Sequence, residues 1–118
     1  MHSLLKMAQV GKFSSYTVSV YGGEGNIPHF HFYTKDRSIS GCIRIDKAEY
    51  FVHGKCKDKL SAQDKKKFVE WIKSTETPFK KYTNELTVWE YIRILWDENN
   101  EDCRISDDTL MLDYSLLS

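Results

Sequence analysis

His29-Phe30-His31-Phe32-Tyr33-Thr34 alternates two kinds of aromatic ring, and a β-strand sends successive side chains to opposite faces. Phe30 and Phe32 therefore share one face, and His29, His31 and Tyr33 share the other. Two phenylalanines belong against a hydrophobic core, so the histidines are expected to point away from it. Downstream, Ile39 to Ile45 reads as the next strand, with Ile39, Gly41, Ile43 and Ile45 on one side and Ser40, Cys42 and Arg44 on the other. Joining the apolar faces through a tight turn near Asp36-Arg37 pairs Phe30 with Ile43 and His31 with Cys42. The same register sets His29 opposite Arg44. His29, His31, Cys42 and Arg44 are thus expected to form one patch on the outer face of the sheet.

Upstream, Phe13 to Tyr21 is rich in β-branched and aromatic residues and reads as a strand. Gly22-Gly23-Glu24-Gly25-Asn26 breaks it, and without a following helix or a lysine this loop is a connection rather than a phosphate cradle. Glu49 to Val52 reads as a short fourth strand, and its register decides whether His53 joins the patch. Tight connections favour an antiparallel meander. The second half is helical. Ser61 is an N-cap, with Asp64 three residues later, for a run to Lys73 that places Phe68, Trp71 and Ile72 on one face. Pro78 closes that segment. A second helix from Thr83 or Asn84 to about Glu98 carries Leu86, Trp89, Ile92, Leu95 and Trp96 as its stripe. The three tryptophans, Trp71, Trp89 and Trp96, read as core. The chain is therefore expected to be one α+β domain over 1–118, with a sheet of about four strands (12–53), helices (61–98) and an acidic, apolar tail (101–118).

With 118 residues, 41% hydrophobic and 14% aromatic, the chain can bury one real core. No apolar run approaches the roughly 20 residues that span a bilayer, and the start is too short in apolar residues for a secretory signal. The cytoplasm is the expected address and no membrane is expected. Cys42, Cys56 and Cys103 make an odd count without a Cys-x-x-Cys pair, which fits reduced thiols better than a disulfide scaffold. The net charge of zero divides unevenly: nine lysines meet four acids in 53–83, and two arginines meet nine acids in 84–118. A basic middle and an acidic end can face each other within one subunit or between two.

Three readings of the patch stay open. The imidazoles can simply hydrogen-bond to neighbours. Alternatively, His29 and His31, at i and i+2 on one strand, can chelate a divalent metal such as zinc or iron, with Cys42 as a third ligand. His31 with Cys42 can also serve acid–base or nucleophilic chemistry, but no orienting carboxylate is evident, so the chain is read as non-enzymatic.

The stretch Asn26-Ile27-Pro28-His29-Phe30-His31, the strand Gly41-Cys42-Ile43-Arg44-Ile45-Asp46 and the helical Phe68-Val69-Glu70-Trp71-Ile72 together resemble a known family. It is the small bacterial domain-of-unknown-function family marked by a Pro-His-Phe-His motif. The resemblance covers roughly residues 12–75. Members often lie beside another small protein in toxin–antitoxin-like, defence or mobile-element gene pairs, and the resemblance implies a regulatory role without any catalytic residue. The Gly22–Gly25 loop and the segment after Pro78 depart from the family pattern. His29-Phe30-His31 is also similar to the opening of the cupin metal motif, but no late histidine follows His53 and the second half is helical.

The expected function is a binding or regulatory module, a homodimer acting through a protein partner. Arg44, Lys65, Lys66, Lys67, Leu116 and Leu117 are its expected contact residues. The alternatives are a metal-binding protein or metal-dependent enzyme using His29 and His31, and a nucleic-acid binder using the lysines between Lys55 and Lys81. The closing Leu-Met-Leu-Asp-Tyr-Ser-Leu-Leu run is expected to dock, on its own domain or on a partner.

Overall fold

A computed structural model describes residues 7–23, 25–75, 86–105 and 109–117. Strands β1 (Met7–Phe13), β2 (Tyr16–Tyr21), β3 (His29–Thr34) and β4 (Ser40–Arg44) form one antiparallel sheet in the order β1-β2-β3-β4. Helices α1 (Ala62–Lys73) and α2 (Val88–Asn99) follow, with 3-10 turns at Glu101–Cys103 and Tyr114–Leu116. This is the expected α+β arrangement.

The β3–β4 hairpin has the register that its alternation requires: His29 opposite Arg44, Phe30 opposite Ile43, and His31 opposite Cys42. Its turn holds Arg37 at φ 62°. The Asp36 carboxylate accepts from the Ser38 amide and the Thr34 hydroxyl, each at 3.0 Å, and these bonds hold its carboxyl below the usual range. Gly41 sits on β4 where a Cβ would run into the Phe32 ring and the Asp58 carbonyl, so only glycine fits.

Two expected strands are corrected. Phe13 does not open the second strand; it ends β1, and a two-residue turn at Ser14-Ser15, with Ser14 at φ 52°, separates it from Tyr16. β1 also carries a register shift between Gln9 and Gly11, a bulge at Val10. Glu49 to Val52 is not a regular strand. It makes one bridge, Tyr50 to Ile43, and runs beside β4 through the bonds Arg44 N–H to Glu49 O and Phe51 N–H to Cys42 O. The chain then leaves the sheet through a small turn closed by His53 and Cys56, with Gly54 at φ 60°. It returns at Asp58, whose N–H donates to Ser40 O at 3.0 Å.

The core lies between the Phe30/Phe32 face and the helices. Phe30, Phe32, Ile43, Val18 and Val20 are fully buried with Phe68, Ile72, Ile92 and Trp96, each large side chain contributing about 1.5–3 kcal/mol by leaving water. Phe13 stacks on Trp71 at 5.3 Å, and Phe68 packs on Phe30 and Tyr114, both at 5.8 Å. Helix α1 starts where the sequence places it, with the Ser61 hydroxyl accepting from the Asp64 amide at 3.1 Å. It ends at Lys73, before Pro78, which lies outside the described residues. Helix α2 starts later than expected: Leu86 and Thr87 are not helical. Thr87 caps it through a reciprocal capping box with Glu90.

The tail docks on its own domain. Tyr114 is 1% exposed; its hydroxyl accepts from the Trp89 indole at 3.0 Å and donates to the Ile45 carbonyl at 2.8 Å. Leu117 is 2% exposed, and its carbonyl accepts from Lys65 at 2.8 Å. Leu117 therefore cannot serve as a partner contact as expected, because its own core covers it. Leu116 next to it is 72% exposed, as is Leu110 at 80%.

Candidate metal centre

Strand β3 delivers His29 and His31 to the face opposite Phe30 and Phe32, and the register of β4 brings Cys42 beside them. The donor atoms of these three residues all lie within 4.8 Å of one another. Sequence reading correctly placed them on a shared face, but the expectation of a surface patch is corrected. His29 is 0% exposed, His31 6% and Cys42 1%. The cover is the segment after β4. Phe51 packs edge-on against the His29 ring at 4.8 Å, and His53 lies 5.4 Å from His29 and 6.0 Å from His31. Tyr21 of β2 closes one side, 4.6 Å from His31, and Trp96 of α2 reaches His29 at 5.5 Å. The histidines thus face away from Phe30 and Phe32 without facing solvent.

The hydrogen bonds give the donor set its polarity. His29 Nδ1 lies 2.7 Å from the Ile27 carbonyl. A carbonyl only accepts, so Nδ1 carries the proton and the neutral ring has its lone pair on Nε2. This is the arrangement by which a backbone oxygen orients a metal-binding imidazole. His31 Nδ1 stands 3.4 Å from Cys42 Sγ and 3.5 Å from Cys56 Sγ. In a tetrahedral zinc site, bond lengths near 2.1 Å to nitrogen and 2.3 Å to sulfur set the nitrogen–sulfur edge at about 3.6 Å. Both contacts match that edge.

Sequence reading missed Cys56. Its signal is the spacing to His53, two metal-competent residues flanking a Gly-Lys pair just past the apolar stretch that ends at Val52. The other expected contact residues do not gather here. Arg44, although opposite His29, forks onto Asp46 at 2.9 and 2.8 Å. Lys65 is held by the tail, while Lys66 and Lys67 are exposed on α1. Lys55, Lys57 and Lys59 are exposed, and Lys80 and Lys81 lie outside the described residues. Cys103 donates to Asn26 on another side of the fold.

No family model, curated protein or solved structure matches the chain. The donor set itself supplies the chemistry: two imidazoles and a thiol between two strands, walled by aromatic rings. Soft and borderline donors of this kind suit zinc, iron or copper rather than magnesium or calcium. Among the described residues, no helix is long and apolar enough to cross a membrane.

Proposed function

We propose that this chain is a metal-binding protein whose ion sits between β3 and β4, held by His29 Nε2, His31 Nδ1 and Cys42 Sγ. The observation that carries the reading is the buried convergence of one donor atom from each of these three residues within 4.8 Å, with the Ile27 carbonyl fixing the His29 tautomer. Zinc is the preferred ion over iron, because two imidazoles and a thiol, with His31 Nδ1 3.4 Å from Cys42 Sγ, suit it without a redox requirement. The cytoplasm suits this chemistry, since thiols there stay reduced and available as thiolate ligands.

Elemental analysis of protein purified without chelator tests the reading. One equivalent of zinc is expected, and none in the double variant His29→Ala/His31→Ala. Failure of metal-free wild-type protein to take up added zinc overturns it.

A second reading keeps the chain as a module for a protein partner, a second copy included. Its support is the pair Leu110 and Leu116, apolar and exposed on a tail that is anchored through buried Tyr114 and Leu117. Light scattering tests it: a concentration-dependent dimer that Leu110→Ser/Leu116→Ser dissociates is expected, and a strict monomer removes the second-copy form.

A further inference from the structure

We infer that Cys56 is the fourth ligand of the metal centre, which makes the site closed and structural, with the ion clasping residues 49–58 onto the sheet. This rests on the metal reading above and goes beyond its three donors. Cys56 Sγ lies 3.5 Å from His31 Nδ1, the nitrogen that Cys42 Sγ approaches at 3.4 Å. His31 Nδ1 thus has two sulfurs within 3.5 Å, although Cys56 Sγ does not share the 4.8 Å within which the donors of His29, His31 and Cys42 gather. Cys56 stands at the rim of the buried trio rather than among it. It is half-buried, on the turn that His53 and Cys56 close by exchanging backbone hydrogen bonds at 3.2 and 2.9 Å. Metal binding draws this sulfur inward, on a turn where Gly54 sits at φ 60° with open space around it.

Charge gives an independent argument. A divalent cation bound by two neutral imidazoles and the Cys42 thiolate leaves one net positive charge among Phe51, Tyr21 and Trp96, an environment that penalises an uncompensated charge. Asp58, the carboxylate of the same segment, is engaged elsewhere, accepting from the Ser40 amide at 2.9 Å. A second thiolate brings the centre to neutrality, and Cys56 Sγ is already in contact with the site. Two nitrogens and two sulfurs fill a tetrahedron, so no position remains for a reactive water.

Cobalt(II), a spectroscopic stand-in for zinc, tests the assignment on the full chain. In wild-type protein the thiolate-to-cobalt charge-transfer band should have the intensity of two sulfurs. In Cys56→Ser it should halve while cobalt still binds, with affinity reduced roughly tenfold or more, the scale of a lost supporting group or greater. Cys42→Ser should halve the band too, and His53→Ala should leave it at the wild-type level. An unchanged band in Cys56→Ser, or its loss in His53→Ala, overturns the assignment of the fourth ligand. Absence of any cobalt spectrum in the wild type instead overturns the metal reading itself. Limited trypsin digestion reads the clasp without substitutions: zinc should protect the exposed Lys55 and Lys57 sites, and a chelator should restore cleavage there. Equal cleavage with and without zinc, at full metal occupancy, refutes the clasp.

Discussion

Replacing Tyr114 by phenylalanine removes one oxygen from a fully packed ring and leaves two buried partners behind. The hydroxyl accepts from Trp89 Nε1 at 3.0 Å and donates to the Ile45 carbonyl at 2.8 Å, so it joins helix α2 to the strand end after β4. The ring itself stays against Phe68 at 5.8 Å, so the hydrophobic contribution hardly changes. Leaving a buried donor or acceptor unsatisfied costs about 1–3 kcal/mol each. Two such groups, relieved in part by small shifts, place the expected loss at about 2–4 kcal/mol. Urea denaturation followed by tryptophan fluorescence measures it, with an unchanged slope required so that the comparison is of stability alone. By the usual scaling for a domain of this size, the thermal midpoint should fall by roughly 3–6 °C per kcal/mol. A loss below about 0.5 kcal/mol, the level of an ordinary surface change, would refute the claim that this hydroxyl ties the tail to the core.

Four further outcomes are expected. Gly41→Ala should destabilise by about 1–3 kcal/mol by overpacking against Phe32 and the Asp58 carbonyl, seen as a lower urea midpoint. Thr87→Ala should cost about 1 kcal/mol through loss of the capping box, with helical circular dichroism fraying first at α2. Tyr16 donates to Asp64 at 2.9 Å, and burial followed by this bond raises its phenol from 10.0 to about 12. Its folded value exceeds the unfolded one, so its contribution is complete below pH 10 and is lost as pH rises toward 12; the alkaline loss of stability should shrink in Tyr16→Phe. Zinc at a hundredfold excess over its dissociation constant should stabilise the wild type by about 2.7 kcal/mol, and the thermal shift should vanish in His29→Ala/His31→Ala.

The β3–β4 hairpin was legible because period two, a turn signal and two phenylalanines leave one register in which the apolar faces agree. That register also placed His31 beside Cys42. Burial of the site was not legible, because it depends on residues 49–58, whose path is set by a few contacts with β4 and by Gly54 rather than by any pattern of apolar residues. The same gap hid Cys56. β1 was missed since Gly11 and the bulge at Val10 interrupt its alternation, and Phe13 looked continuous with Tyr16 across two serines. The start of α2 follows from local chemistry: Thr87 and Glu90 form a reciprocal capping box there.

The bulge at Val10 has a bearing on self-association. Residues 49–58 run along the β4 edge, whereas among the described residues no strand pairs with the far edge of β1. A straight edge would invite a second sheet to continue the ladder, the first step toward fibrils. Here the register slips between Gln9 and Gly11, so a copy approaching in regular alignment meets an interrupted row of amides and carbonyls. Continuous cross-molecule sheets are thereby disfavoured at the one edge the described chain leaves uncovered, and a dimer of this protein is better sought through side chains on the tail than through its strands.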